Sequence, residues 1–280
     1  MKKVKVKIPA KINLTLDITG VKDGYHVIES LVASVNVFDE ITVKKRKENY
    51  VSVSFSGLPT GVSGLKSNAY LAAAAFRKEF GTGGAEISVK CAIPVASGLG
   101  GSSADIAGVL VAMGKLYGVH RDLTYIANNL GSDVAYMLKG GYAVMKDRGE
   151  IVETLYDVKS KFYVLIVQGS KGVSTSESYK GYDSIGKSHR KRTGAAVNFL
   201  RENDAENFFK VLKNDLYESS ALILPEIKET LAALKRFGAA VMTGSGSAVY
   251  GIYKTKKERD KAYKALLPEY GDRLIKAKTL

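Results

Sequence analysis

Ten residues, Pro94-Val95-Ala96-Ser97-Gly98-Leu99-Gly100-Gly101-Ser102-Ser103, separate an alternating apolar run at 85–92 from a run of small and apolar residues at 102–117 that stops at Gly118. Alternation is the signature of a half-buried strand, and the second run has helical spacing. The order strand, glycine loop, helix commits this region to an α/β unit in which several backbone N–H groups and a helix N-terminus converge on one point. Such a point suits a polyphosphate. The glycines let backbone approach a ligand closely. The hydroxyls of Ser102 and Ser103 can cap the helix, or bond phosphate and help place Mg²⁺, and the two uses are compatible. No Gly-Lys-Ser/Thr ends the loop and no G-x-G-x-x-G runs through it, so neither the Walker type nor the dinucleotide type of phosphate loop applies.

The rest of the chain frames this unit. Alternating segments at 4–8, 12–19 and 50–56 predict strands, and Ser67 followed by an Ala-rich run over Asn68–Phe80 and Gly81 predicts a capped helix. A short helix is expected at 122–130, closing strands at 142–145 and 151–155, and a buried strand at 162–167. Helices are expected at 195–200, 205–212 and 226–237. The stretch 169–194 is rich in Gly, Ser, Lys and Tyr and reads as a mobile surface loop that could cover a cleft. With 280 residues the natural division is two domains, 1–156 and 157–280.

Composition excludes several classes. Hydrophobic residues at 45% and charged residues at 25% are ordinary for a globular enzyme. The net charge of +14 favours anionic partners, but it sits in scattered runs such as Lys44-Lys45-Arg46-Lys47 and Arg190-Lys191-Arg192 that also read as solvated faces. One cysteine, Cys91, allows no internal disulfide, and it reads as a small buried apolar side chain. Three scattered histidines give no metal cluster, and His120 and His189 lie in polar stretches. The basic start is followed by alternation rather than an apolar core, so neither a signal peptide nor a membrane span is expected. A cytoplasmic protein is expected, with no membrane and no nucleic-acid partner.

Two further segments, Pro9-Ala10-Lys11-Ile12-Asn13-Leu14 and Met242-Thr243-Gly244-Ser245-Gly246-Ser247-Ala248-Val249, accompany the loop. In this order the three resemble the motifs of the GHMP kinases, small-molecule kinases that use ATP. Asp23-Gly24-Tyr25-His26, Leu130-Gly131-Ser132-Asp133-Val134, Arg148-Gly149-Glu150 and Asn214-Asp215-Leu216 extend the likeness over nearly the whole chain. They narrow it to members whose acceptor carries a cytidine diphosphate. The loop departs from that narrower group in its Pro94-Val95-Ala96-Ser97 opening and in being one residue shorter. Ala135 also replaces a proline.

The resemblance implies an α+β fold of two domains: an N-terminal mixed-sheet βαβ nucleotide-binding domain and a C-terminal ferredoxin-like domain, with the active site in the cleft between them. It implies ATP as phosphoryl donor and Mg²⁺ bound mainly through the ATP phosphates, with no dedicated protein metal site. Lys11 and Asp133 match the catalytic pair: a carboxylate can orient a hydroxyl and take its proton while an ammonium offsets phosphoryl charge. Asp133 alone would also suit a helix cap, and Lys11 alone a surface lysine. Asn68, Pro94, Ala96, Ser97, Gly98, Leu99, Gly100, Gly101, Ser102 and Ser103 match the ATP site, Asn68 near the adenine. Asn13, Tyr25, His26, Thr175, Tyr179, Gly244, Ser245 and Gly246 match the acceptor site. There His26 bonds the cytosine edge, Tyr25 offers a stacking face, Tyr179 lies on the opposite face and the Gly244 loop meets the diphosphate or shapes the cleft, a plain turn being its simpler reading. A monomer or weak homodimer is expected. A sugar, homoserine or mevalonate acceptor is the rival enzymatic reading, and a basic nucleic-acid-binding protein the rival outside enzymes.

Overall fold

A computed structural model describes residues 3–59, 64–185 and 191–280. In chain order the strands are β1 (Lys3–Asn13), β2 (Thr15–Lys22), β3 (Tyr25–Lys45), β4 (Val51–Gly57), β5 (Ala85–Cys91), β6 (Tyr142–Asp147), β7 (Ile151–Thr154), β8 (Tyr163–Val167), β9 (Lys213–Asn214), β10 (Ala239–Met242), β11 (Val249–Tyr253) and β12 (Leu274–Lys278). The helices are α1 (Asn68–Phe80), α2 (Gly101–Tyr117), α3 (Thr124–Asn128), α4 (Val134–Lys139), α5 (Thr175–Ile185), α6 (Thr193–Arg201), α7 (Ala205–Val211), α8 (Tyr217–Ile223), α9 (Glu226–Lys235) and α10 (Lys256–Tyr270). They gather into two compact units, each assembled from separated stretches of chain. One holds Met1–Ala10, Val37–Val95 and Gly100–Gly140; the other holds Lys11–Asn36, Ala96–Leu99 and Gly141–Leu280.

In the first unit β4 and β5 pair in parallel from Val51↔Ala85 to Gly57↔Cys91, with α1 as the crossover, so a βαβ element is present. The C-terminal part of β3 pairs antiparallel with β5, from Glu40↔Lys90 to Lys45↔Ala85, which makes the pairing mixed. Helix α1 begins where its cap dictates: the Ser67 side chain accepts from Tyr70 N, and Gly81 closes the helix at φ 61° with its N–H on Arg77 O. Helix α2 crosses the strands closely at Gly108, where a Cβ would come within 2.4 Å of Ile41 Cδ1. Asp39, 2% exposed, accepts from Ala92 N at 2.6 Å and Ile93 N at 2.9 Å, and so ties down the chain just before Pro94. Asp105 on α2 is also buried, and its Oδ1 has no hydrogen-bond partner. Burial, with Asp39 as the neighbouring charge, pushes its carboxyl up to about 8. Cys91 is buried as expected, its thiol pushed up to about 12 by burial and then by Asp105 and Asp39.

In the second unit β8, β10, β11 and β12 form an antiparallel sheet ordered β10-β11-β8-β12. Taken with α9 and α10, whose contacts lie on these strands, that order is the ferredoxin-like arrangement expected. The N-terminal part of β3 pairs with β2 and β6, and the short β9 joins β2 in parallel. Asp17 on β2 is buried, and its Oδ2 accepts from Arg192 N, Thr193 N and Thr193 Oγ1 at 2.7–2.8 Å, which anchors the start of α6.

Three expectations change. The 12–19 run is two strands, broken at Leu14. The helix expected at 122–130 is confined to α3, with Asp122 Oδ1 accepting from Thr124 N before it. Within 169–194, the residues Thr175–Ile185 are helix α5 rather than loop. Its polar composition hides a tertiary anchor: the Ser178 hydroxyl lies 2.6 Å from that of Ser220, and Tyr182 is 4% exposed in the apolar core. His189 and Arg190 lie outside the described residues, while His120 is exposed.

Candidate active site

Strand periodicity places the side chains of Lys11 and Asn13 on the same face of β1. The structure bears this out: Lys11 Nζ donates to Asn13 Oδ1 at 2.7 Å, and both residues are nearly fully buried. The same Oδ1 accepts from Gly244 N at 2.9 Å and Thr243 Oγ1 at 3.2 Å, while Asn13 Nδ2 donates to Ser30 Oγ at 2.8 Å. Asn13 therefore uses its whole amide to join a buried lysine to the turn between β10 and β11. Asn214 supports that turn from another side, its Nδ2 donating to Met242 O at 2.9 Å and Gly244 O at 2.7 Å. Ser220 Oγ donates to Ser245 O at 2.9 Å, and Thr175 Oγ1 lies 3.0 Å from Ser245 Oγ. Gly246 N closes the turn on Thr243 O at 2.9 Å.

The glycine loop passes directly against this turn. Ala248 N donates to Ser97 O at 3.1 Å and Lys11 N to Leu99 O at 3.0 Å, and Gly98 O, 3.2 Å from Thr243 Oγ1, shares that hydroxyl's single proton with Asn13 Oδ1. A Cβ on Gly98 would sit 2.1 Å from Thr243 O, and one on Gly244 would sit 2.9 Å from Gly98 Cα, so only glycine fits at either position. Along the loop every second residue takes positive φ: Ala96 at 52°, Gly98 at 78° and Gly100 at 82°. Such alternation turns successive N–H groups toward one concave side, the arrangement of an anion nest. Ser97 and Leu99 are buried, whereas Ser102 is exposed on the first turn of α2. Gly100 is the N-cap of that helix and has no side chain to cap it. Ser102 and Ser103 follow within the first turn, where the helix's N–H groups have no intrahelical acceptor. Gly98→Ala combines a strained φ with backbone overlap, so we expect it to lower ATP affinity at least tenfold and to reduce stability by about 2 kcal/mol or more. Nucleotide titration and thermal melts check both.

Asp133 is half-buried at the N-cap of α4, and its side chain makes no capping hydrogen bond there. The simpler role of a helix cap is thus not the one it fills. Asn68 is the first residue of α1, half-buried beside its cap Ser67, and Pro94 is buried after Ile93.

The acceptor-site aromatics lie around strand β3. His26 stacks on Tyr179 with ring centroids 4.7 Å apart and planes at 21°, and meets the edge of Tyr182 at 6.2 Å. Its Nε2 lies 2.6 Å from Asp183 Oδ1. Tyr25 is 58% exposed, and the Arg148 guanidinium sits 3.9 Å from its ring centroid. Tyr179 therefore faces His26 in this structure, and the face offered by Tyr25 is shared with a cation. Arg148, Asp183, Asn214 and Thr243 had no individual role in the sequence reading. Arg148, Asn214 and Thr243 belong to segments whose likeness marked them; Asp183 has no such signal, because its position against His26 comes only from folding α5.

The family model described as GHMP kinases N terminal domain matches residues 67–143, and that described as GHMP kinases C terminal matches residues 195–273. The chain belongs to the GHMP kinases. It is 36% identical over 263 residues to the 4-diphosphocytidyl-2-C-methyl-D-erythritol kinase of Desulfitobacterium hafniense (strain Y51), covering 90% of this chain and 88% of that one. The protein of the same name from Pelotomaculum thermopropionicum is 37% identical over 252 residues, covering 87% and 86%. A crystal structure of 4-(cytidine 5'-diphospho)-2C-methyl-D-erythritol kinase superposes with a TM-score of 0.83 at 28% identity, over 99% of both chains. Among the described residues no helix is long and apolar enough to cross a membrane.

Proposed function

We propose that this protein transfers the γ-phosphoryl group of ATP to the 2-hydroxyl of 4-diphosphocytidyl-2-C-methyl-D-erythritol, a step of isoprenoid precursor biosynthesis by the non-mevalonate route. The observation that carries the reading is the near full-length likeness to kinases of that name. The buried Lys11–Asn13–Gly244 network accords with it, since it links a cation, the acceptor-side turn and the glycine loop.

In this reading Asp133 orients the acceptor hydroxyl and takes its proton, while Lys11 offsets charge on the transferring phosphoryl group. Residues 94–103 receive the ATP phosphates in the nest and at the start of α2, and Asn68 lies near the adenine. The Gly244-Ser245-Gly246 turn and Asn13 meet the acceptor's diphosphate end, with Thr175 beside them. Tyr25, His26 and Tyr179 take the cytosine. Among the described residues no group of three or more His, Cys, Asp or Glu could hold a metal ion. The hydroxyls of Ser102 and Ser103 are hard oxygen donors, and they suit a Mg²⁺ that keeps phosphate and water as most of its ligands. Bound there, the ion would neutralise phosphate charge. We place the protein in the cytoplasm, as a monomer or weak homodimer, with its nucleotide-binding half in 1–156 and its second half in 157–280.

An ADP-release assay across the cytidylated acceptor, mevalonate, homoserine and galactose tests the proposal. Activity with the cytidylated acceptor is expected, and activity only with another acceptor would overturn the substrate. His26→Ala should raise the acceptor KM at least tenfold with a smaller change in kcat, and an unchanged KM would remove His26 from the base site.

A further inference from the structure

We propose that Asp183 selects the form in which His26 meets the base, and so makes the protein discriminate a 4-aminopyrimidine from a 4-oxopyrimidine. The inference rests on the reading of Tyr25, His26 and Tyr179 as the base site. An ionised carboxylate can only accept hydrogen bonds, so at 2.6 Å from Asp183 Oδ1 the Nε2 of His26 must be the nitrogen that carries the proton. A neutral imidazole has one donor and one acceptor, and with Nε2–H committed to Asp183 the remaining Nδ1 is an acceptor. The exocyclic amino group of cytosine donates to such an atom. The O4 of uracil, itself an acceptor, would face it lone pair to lone pair.

The fold gives Asp183 this task by helical spacing. Tyr179 and Asp183 lie four residues apart on α5 and therefore share a face one turn apart. Tyr179 fixes the plane of the imidazole by stacking, and Tyr182 meets its edge. Asp183 then fixes which nitrogen bears the proton. The His26 side chain is 16% exposed while that of Asp183 is 56% exposed, so the carboxylate contributes as an orienting partner rather than as part of the core. Its replacement should leave the fold intact.

Asp183→Asn lets the hydrogen bond reverse with almost no change in shape. A carboxamide can donate its N–H to Nε2, which moves the imidazole proton to Nδ1 and presents a donor where the wild type presents an acceptor, or it can accept from Nε2–H through its own oxygen; Asp183→Leu, with no acceptor at all, removes the second option. Cytidine 5'-diphosphate and uridine 5'-diphosphate, each measured as a competitive inhibitor against the cytidylated acceptor, report the preference directly. We expect the wild type to favour the cytidine compound, and Asp183→Asn to reduce that preference at least roughly tenfold, the size of one mispaired hydrogen bond. Asp183→Glu should restore much of it. The ¹⁵N shifts of the His26 ring should report Nε2–H in the wild type and a shift toward Nδ1–H in Asp183→Asn, a change that a merely structural role for Asp183 would not produce. An unchanged preference in folded Asp183→Asn and Asp183→Leu proteins would overturn the inference. His26→Ala separates the two levels: if it leaves cytidine diphosphate inhibition unaltered, the base site lies elsewhere and the inference falls with it. If His26→Ala weakens that inhibition while both Asp183 variants keep the preference, only the role of Asp183 is lost.

Discussion

Replacing Asp133 with Asn should lower kcat at least a hundredfold while changing the KM for ATP by less than about threefold. The magnitude is that of a positioned general base, roughly 10²–10⁴ in rate. The geometry makes the experiment clean. The Asp133 carboxyl makes no capping bond to α4, so the amide removes a proton acceptor without removing a helix cap. Met137 N bonds the backbone oxygen of Asp133, which the substitution leaves in place. Steady-state kinetics on a variant with an unaltered melting temperature reads the effect, and a loss below tenfold would refute the assigned role. Lys11→Met should be harder to interpret, because Lys11 shares Asn13 Oδ1 with the turn at Gly244, and its loss would release both.

Asp105→Asn should remove much of the dependence of stability on pH between about 4 and 8. The carboxyl of Asp105 is held protonated in the folded state up to about 8, against an ordinary value of 3.8, because burial penalises its charge. The native state then binds a proton that the unfolded chain has released, so stability is full below about pH 4 and falls as pH rises toward 8. Asp39 is shifted in the same direction, with burial the larger cause, and adds with the same sign. From Asp105 alone the wild type should lose up to about 6 kcal/mol over this interval, an upward shift being worth about 1.4 kcal/mol per pH unit before relaxation. Urea titrations at pH 5 and pH 8 give the difference. Equal pH slopes for wild type and Asp105→Asn would mean that the carboxyl ionises freely at neutral pH.

Local signals made much of the architecture legible. Helix α1 is announced at both ends, by Ser67 and Gly81, and each does in the structure what its chemistry suggests. The strand–loop–helix at 85–117 was equally plain, because a change of period flanks a run of glycines. The 21-residue β3 was not, since its pattern shifts along its length: one part pairs with β2 and β6, the other with β5, so no single alternation runs through it. Helix α5 was masked by Gly, Ser and Lys, and it is held by two residues, Ser178 and Tyr182, whose partners lie at 219–220 and in the distant core. The site divides in the same way. Lys11 and Asn13 stand two apart on a strand and can be paired on sight. The contact of Asn13 with Gly244 spans 231 positions, and that of His26 with Asp183 spans 157, so neither exists until the chain has folded.

The interleaving of the two compact units also sets a timetable for synthesis. The stretches 1–10, 37–95 and 100–140 are all that the first unit contains, so it has its full complement as soon as residue 140 is free of the ribosome. Residues 11–36 emerge before most of it but belong to the other unit. There β2 must wait for Lys213–Asn214, and the front of β3 for Tyr142–Asp147. An apolar segment carrying Leu14, Leu16, Ile18 and Leu31, all buried in the finished protein, can pair β2 with the front of β3 but is held without its later partners while more than a hundred residues are added. Domains generally fold as units when their chain is complete, and unpaired strand edges invite aggregation. The interval between residue 36 and the arrival of Lys213–Asn214 is when this protein depends most on being shielded from its neighbours.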